Sequence, residues 1–234
     1  MKIPIKEWLW PERCPFCGKA EKRGVCSSCR EKLEDLVIRE PRCMKCGKPI
    51  RYAEKEYCYD CSHTDHIYDR GVGLWLHKEP VSTSVYRFKY HNQRCYAAYY
   101  ASWMAEAFAP LLGRWDPEMI VPVPLHPKRR RKRGYNQAEI LAKELAKRLH
   151  VPIDTKAVLR VRDTKPQKTL NSVLRRKNME GAFAAGKSLK GTKRVLVVDD
   201  IYTTGNTISA VAETLKKAGV QKVHFLTISI GQGS

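Results

Sequence analysis

Hydrophobic residues change their spacing several times along this chain, and each change predicts a different element. The clearest stretch begins near Lys193. Four consecutive apolar residues, Val195–Val198, read as a strand buried on both faces. A polar turn (IYTTGNT), a segment of helical period (ISAVAETLKKAG) and a second apolar run (KVHFLTISI) follow it. That is a strand–helix–strand unit of the kind that builds parallel sheets. Gly219 stands where a helix commonly closes through positive φ. Upstream, Ala138, Leu141, Leu145 and Leu149 share one helical face behind an Asn136 cap, with Glu139 three residues on as in a capping box.

The remaining pattern is less regular. Tyr96 to Leu112 carries Ala, Tyr, Trp, Met and Phe at helical spacing and predicts a buried helix, with Cys95 buried beside it as a small side chain. Ile120–Pro124 predicts a short strand whose prolines force the chain out of a regular ladder. Val158–Val161 predicts another strand, and Tyr68–Tyr86 strand or irregular structure. Residues 163–186 are polar, basic and loop-like. Together these elements predict an α/β fold with a mostly parallel sheet flanked by helices.

The first 66 residues follow a different logic. Eight of the nine cysteines form four CxxC pairs: Cys14/Cys17, Cys26/Cys29, Cys43/Cys46 and Cys58/Cys61. Two thiolates three positions apart on a tight turn aim at one ion, and two such knuckles complete the tetrahedral shell of structural Zn²⁺. Gly18 and Gly47 directly follow a knuckle, where positive φ is often needed. Two sequential Cys₄ sites are expected, with a cross-braced pairing as the alternative that spacing leaves open. A disulfide framework is the competing reading; a reducing compartment opposes it. With every ligand position filled by sulfur, such zinc is structural and supplies folding energy to a segment poor in apolar side chains. The boundary is placed near residue 66, giving a zinc-ribbon module (1–66) and an α/β domain (67–234). His63 and His66 read as linker residues.

Composition narrows the function. A chain of 234 residues with 43% hydrophobic and 29% charged residues is a folded protein, not a disordered tail. No apolar run approaches the roughly 18 residues of a membrane span. Met1–Trp10 is too short and charged for a secretory signal, so the expected location is cytoplasmic. The formal charge is +20, unevenly placed. Residues 1–66 hold 14 basic and 11 acidic side chains, whereas 128–178 hold 17 and four. At the peak, Lys128, Arg129, Arg130, Arg131, Lys132 and Arg133 form a predicted solvated loop that repels itself until an anion arrives. Phosphorylated small molecules, nucleic acid or both are the partners this implies. With Arg175 and Arg176, the run would track the phosphates of a single strand, while Tyr135, Tyr86 or Tyr90 stack on its bases.

The most specific chemistry lies after Val198. Asp199 and Asp200 stand at a strand's carboxyl end, where open α/β sheets bind ligands. Tyr202, Thr203, Thr204, Gly205, Asn206 and Thr207 then lead into a helix. Small residues let successive amides wrap an anion, with the helix N-terminus adding partial positive charge. Carboxylates beside a phosphate must face something other than phosphate. Ribose hydroxyls and a divalent ion are the natural candidates.

Val195–Thr207 (VLVVDDIYTTGNT) resembles the signature of the type I phosphoribosyltransferases. The resemblance implies that Asp199 and Asp200, the candidate catalytic residues, hold the ribose hydroxyls of phosphoribosyl pyrophosphate. Tyr202–Thr207 would hold its 5′-phosphate, and Mg²⁺ would ride on the pyrophosphate. The turn from Val123 to His126 resembles the family's pyrophosphate loop. Arg133, Lys165, Arg175 and Arg176 are candidates to stabilise leaving pyrophosphate from a closing loop. Over nearly its full length the chain also resembles the ComF family of bacterial competence proteins. The cysteine module, Arg87-Phe88-Lys89-Tyr90, Pro122–His126 followed by Arg133-Gly134-Tyr135-Asn136-Gln137, and the Asp199-Asp200 loop carry that likeness, joined by Thr164–Phe183 with Gln167, Arg175 and Asn178. It implies a cytoplasmic protein of natural transformation that handles single-stranded DNA beside a competence helicase and other DNA-uptake proteins. An active phosphoribosyltransferase of nucleotide metabolism and a non-catalytic ligand-sensing scaffold are the alternatives.

Overall fold

A computed structural model describes residues 13–21, 24–163 and 181–231. Four strands, β1 (Arg70–Leu76), β2 (Met119–Pro122), β5 (Arg194–Tyr202) and β6 (Lys222–Ile230), form one parallel sheet in the order β1-β6-β5-β2. Val195–Val198 sit at its centre with no exposure, because helices cover both faces. β2 is short, as its prolines dictate; beyond Pro122 the amide of Val123 still donates to Val198 O at 2.9 Å. An antiparallel pair, β3 (Val158–Arg160) and β4 (Phe183–Ala185), stands apart from this sheet.

Seven α-helices are described: α1 (Ser27–Glu34), α2 (Tyr59–Ser62), α3 (Val81–Tyr90), α4 (Tyr96–Trp115), α5 (Pro127–Arg133), α6 (Gln137–Leu149) and α7 (Asn206–Lys217). Three of them correct the sequence reading. The stretch read as strand or irregular becomes helix from Val81, because Val81, Ser84, Val85 and Phe88 recur at helical spacing on a buried face. Cys95 is exposed, not buried, since it caps α4 ahead of the first buried turn. The Lys128–Arg133 run is helix α5, not a loop. Pro127 starts it, the His126 side chain accepts from the Lys128 amide, and Gly134 at φ 81° ends it. The charge is also less naked than adjacency suggests: Arg130 pairs with Glu139 (3.1 Å) and Arg129 with Asp163 (3.7 Å). Glu139 is therefore spent on Arg130 and Lys143, and only the Asn136 half of the expected capping box forms.

The core lies in two layers, one on each side of the sheet. On one side Leu196 and Val198 meet Phe88, Tyr100, Met104 and Leu141. On the other Val195 and Val197 meet Tyr202, Ile208, Val211 and Leu215. The cysteine-rich segment builds little core of its own and joins both layers: Cys14, Phe16 and Leu33 the first, Cys43, Cys46 and Cys58 the second. It also covers the sheet edge. The amides of Ile38 and Leu76 bond to Leu74 O and Leu36 O, and the Gly71 amide to Lys45 O, so the outer side of β1 is paired rather than left open.

Candidate functional site

Because side chains alternate along a strand, the two adjacent aspartates leave β5 on opposite faces. Asp200 turns to the α3 side, where its Oδ1 lies 2.9 Å from the Lys89 ammonium, both side chains being largely buried. Asp199 turns to the β3 side, toward Arg160, and its Oδ1 accepts from the Asp200 amide at 2.9 Å. Burial first, then the Asp200 charge, pushes the Asp199 carboxyl up to about 7; Lys89 and Arg160 pull against that rise. The Arg160 guanidinium packs over the Phe183 ring, and burial and Arg129 lower it to about 10. Asp163 lies within 4 Å of both His126 Nδ1 and Arg129 Nε. The carboxyl end of β5 is thus ringed by alternating charges from α3, α5, the turn before it and β3.

The turn beyond the aspartates is open at Thr203 and closed at its base. Gly205 caps α7 with φ 76°, and no side chain caps that helix. A Cβ on Gly205 would come within 2.7 Å of Tyr202 Oη and 2.8 Å of His66 Cε1, so the position demands glycine twice over. Thr204 Oγ1 is buried without a hydrogen-bond partner, an orphan of the kind a bound phosphate oxygen satisfies. Tyr202 departs from the expected role. Its ring is buried, stacks on Phe225 at 4.9 Å and bonds through Oη to Tyr68 at 2.7 Å, so it floors the turn. His66 corrects its reading as a linker residue: it is buried under Gly205, stacked on Tyr68 and bonded to Ser209 Oγ at 3.0 Å.

Two segments singled out by sequence interlock beside this site. Arg133 donates to Tyr90 Oη (2.9 Å) and Gln137 Oε1 (3.0 Å), Gln137 donates to Lys89 O (3.1 Å), and the Tyr135 hydroxyl donates to Phe88 O. Tyr135 is therefore buried, with Arg94 over its face, and is not available to stack on a base. Tyr86 and Tyr90 are: each is more than half exposed, and their rings lie 4.9 Å apart. Arg133 covers one face of Tyr90 at 4.7 Å. Lys165, Gln167, Arg175, Arg176 and Asn178 lie outside the described residues.

Lys89, which the sequence reading quotes within Arg87-Phe88-Lys89-Tyr90 without giving it a role, stands against Asp200. A helical wheel carries the signal: Lys89 lies four residues after buried Val85, at the edge of the apolar face, where a lysine needs a reason. Arg160, in a short strand, left no comparable mark.

The cysteines assemble as two sequential sets, Cys14/17/26/29 and Cys43/46/58/61, with the ligand atoms of each within 4.8 Å of one another. Cys17 to Cys26 is 3.7 Å and Cys46 to Cys58 is 3.6 Å, close to the roughly 3.8 Å edge of a ZnS₄ tetrahedron with 2.3 Å bonds. All nine cysteines are unbridged. Gly18 and Gly47 adopt φ of 81° and 73° as their places after the knuckles required. The donor sets fit structural zinc. Among the described residues no helix is long and apolar enough to cross a membrane.

Comparison with known proteins agrees with this layout. A model of the double zinc ribbon domain matches residues 5–62, and one of the phosphoribosyl transferase domain matches residues 135–230. Competence protein F of Haemophilus influenzae is 33% identical over 227 residues, covering 90% of this chain and 93% of that protein. DNA utilization protein YhgH of Escherichia coli K12 is 30% identical over 212 residues, covering 86% and 87%. A purine phosphoribosyltransferase structure from Pyrococcus horikoshii aligns over 58% of this chain and 82% of its own, at 20% identity and a TM-score of 0.35.

Proposed function

Since the chain belongs to the ComF family of competence proteins, with a double zinc ribbon ahead of a phosphoribosyltransferase domain, we propose that it serves DNA uptake in the cytoplasm by binding phosphoribosyl pyrophosphate and single-stranded DNA at neighbouring surfaces. The observation that carries the first part is the orphan Thr204 hydroxyl in an uncapped turn directly beyond two carboxylates. Asp199 and Asp200 take the ribose hydroxyls, as acceptors for a vicinal diol. Thr203, Thr204, Gly205, Asn206 and Thr207 take the 5′-phosphate, with Tyr202 beneath them. Val123, His126 and Arg133 border the pyrophosphate end, where Mg²⁺ would offset its charge. DNA follows the outer face of α5 and reaches the Tyr86–Tyr90 pair. The near-neutral zinc ribbons are the surface for a helicase or other uptake protein.

Calorimetric titration of phosphoribosyl pyrophosphate with Mg²⁺ tests the ligand. Wild type should bind, and Asp199→Asn with Asp200→Asn should not, while the double variant keeps its DNA affinity. Failure of folded wild type to bind would remove the reading. Deleting residues 1–66 is not a usable test of the partner surface, because Phe16 and Leu33 belong to the main core; substitutions at exposed Tyr52, Tyr57 or Tyr59 are.

A further inference from the structure

The ion pair between Lys89 and Asp200 joins two places that the phosphoribosyl signature does not connect: helix α3 and the end of β5. It is no casual surface contact. The two side chains are 18% and 11% exposed, and the end of α3 around the lysine is held by three hydrogen bonds. Gln137 holds the carbonyl of Lys89, Tyr135 that of Phe88, and Arg133 the Tyr90 hydroxyl. Those contacts fix where the lysine side chain starts, and the ion pair with Asp200 orders the rest of it.

Its effect follows from what surrounds the carboxylates. Lys89 faces them from α3, Tyr100 from α4 and Arg160 from β3, with Arg129 and Asp163 next beyond. Two adjacent carboxylates, Asp200 buried and Asp199 partly so, repel, and an arriving polyphosphate adds further negative charge. A diol, however, donates its strongest hydrogen bonds to an ionised acceptor. The site therefore needs a cation that neutralises one acid without occupying the other.

We propose that Lys89 is a positioning residue of the sugar site: it is the fixed counter-ion of Asp200, and by offsetting that charge it favours the ionised form of the Asp199 carboxyl that shares the vicinal diol. This rests on the phosphoribosyl reading for the ligand, but not for the effect on the carboxylates.

Lys89→Gln and Lys89→Arg test it, with thermal melts to confirm folding. In ligand-free protein, aspartate carboxyl titration followed by ¹³C NMR should show the Asp199 midpoint in Lys89→Gln at least about one pH unit above its value near 7, and Lys89→Arg restoring it. In calorimetry, Lys89→Gln should bind phosphoribosyl pyrophosphate about tenfold more weakly near pH 7, with the deficit shrinking toward pH 9 as Asp199 ionises. A purely structural lysine would give a deficit independent of pH. That result, or an unmoved carboxyl midpoint, overturns the proposal. If wild type takes up no ligand while the midpoint still moves, the sugar reading falls and the counter-ion role stands.

Discussion

Asp199 works against the fold that carries it. Its carboxyl is held near 7, well above the ordinary value of 3.8, first by burial and then by Asp200. A folded-state value above the unfolded one favours the protonated folded protein. The contribution of this one group to stability is therefore fully present below about pH 4 and is lost as pH rises through about 7. Asp199→Asn should accordingly raise the melting temperature of ligand-free protein near pH 8, and the gain should vanish near pH 4. A gain equal at both values would show that charge is not its cause. Thr204→Val makes a parallel case: removing an unsatisfied buried hydroxyl should leave stability unchanged or raise it by up to about 1 kcal/mol, while phosphoribosyl pyrophosphate binding weakens. Either outcome would mark a group that the fold alone does not favour. The acidic pair was legible in the sequence because an apolar strand ending in charge is a local pattern. Which cation faces which acid was not, since Lys89 and Arg160 arrive from elements remote in the chain.

At the scale of elements, the turn into α7 depends on one backbone conformation. Gly205→Ala meets both the strain of φ 76° and contacts below 3 Å with Tyr202 and His66. It should cost about 1–3 kcal/mol in denaturant unfolding and lower ligand affinity through displacement of the turn. Helix α5 carries the electrostatic prediction. Arg129 and Arg130 are already paired with carboxylates, so Lys128, Arg131 and Lys132 are the charges to remove. The Lys128→Ala, Arg131→Ala, Lys132→Ala variant should flatten the salt dependence of single-strand binding by about two counter-ions in a log–log plot. An unchanged slope would move the DNA path off this helix. The run misled as a loop because like charges in sequence suggest repulsion, whereas the bracketing Pro127 and Gly134 and the carboxylates of Glu139 and Asp163 permit about two turns of helix.

Across the whole molecule, the two cysteine clusters are unequal. The second shares its core layer with Tyr68, Tyr202 and Ile208, which support the candidate phosphate turn, whereas the first packs on the opposite side of the sheet. Cys58→Ser should therefore weaken phosphoribosyl pyrophosphate binding more than Cys26→Ser does, when both are compared at the same residual zinc content by calorimetry. Equal losses would mean that the clusters act only on global stability. The four CxxC knuckles, the central strand, the turn and the helices of strict period were all set by residues within a few positions of one another, whereas which knuckles share a site was settled only by the fold. Such short-range geometry is written directly in sequence, because backbone stereochemistry and ligand spacing fix it. The burial of His66 and Tyr202 beneath the turn, the merging of the zinc ribbons into the main core and the approach of Lys89 to Asp200 were decided only by packing. They require elements distant in the chain to close on both faces of one sheet, and desolvation then gives each buried charge the neighbour it must have.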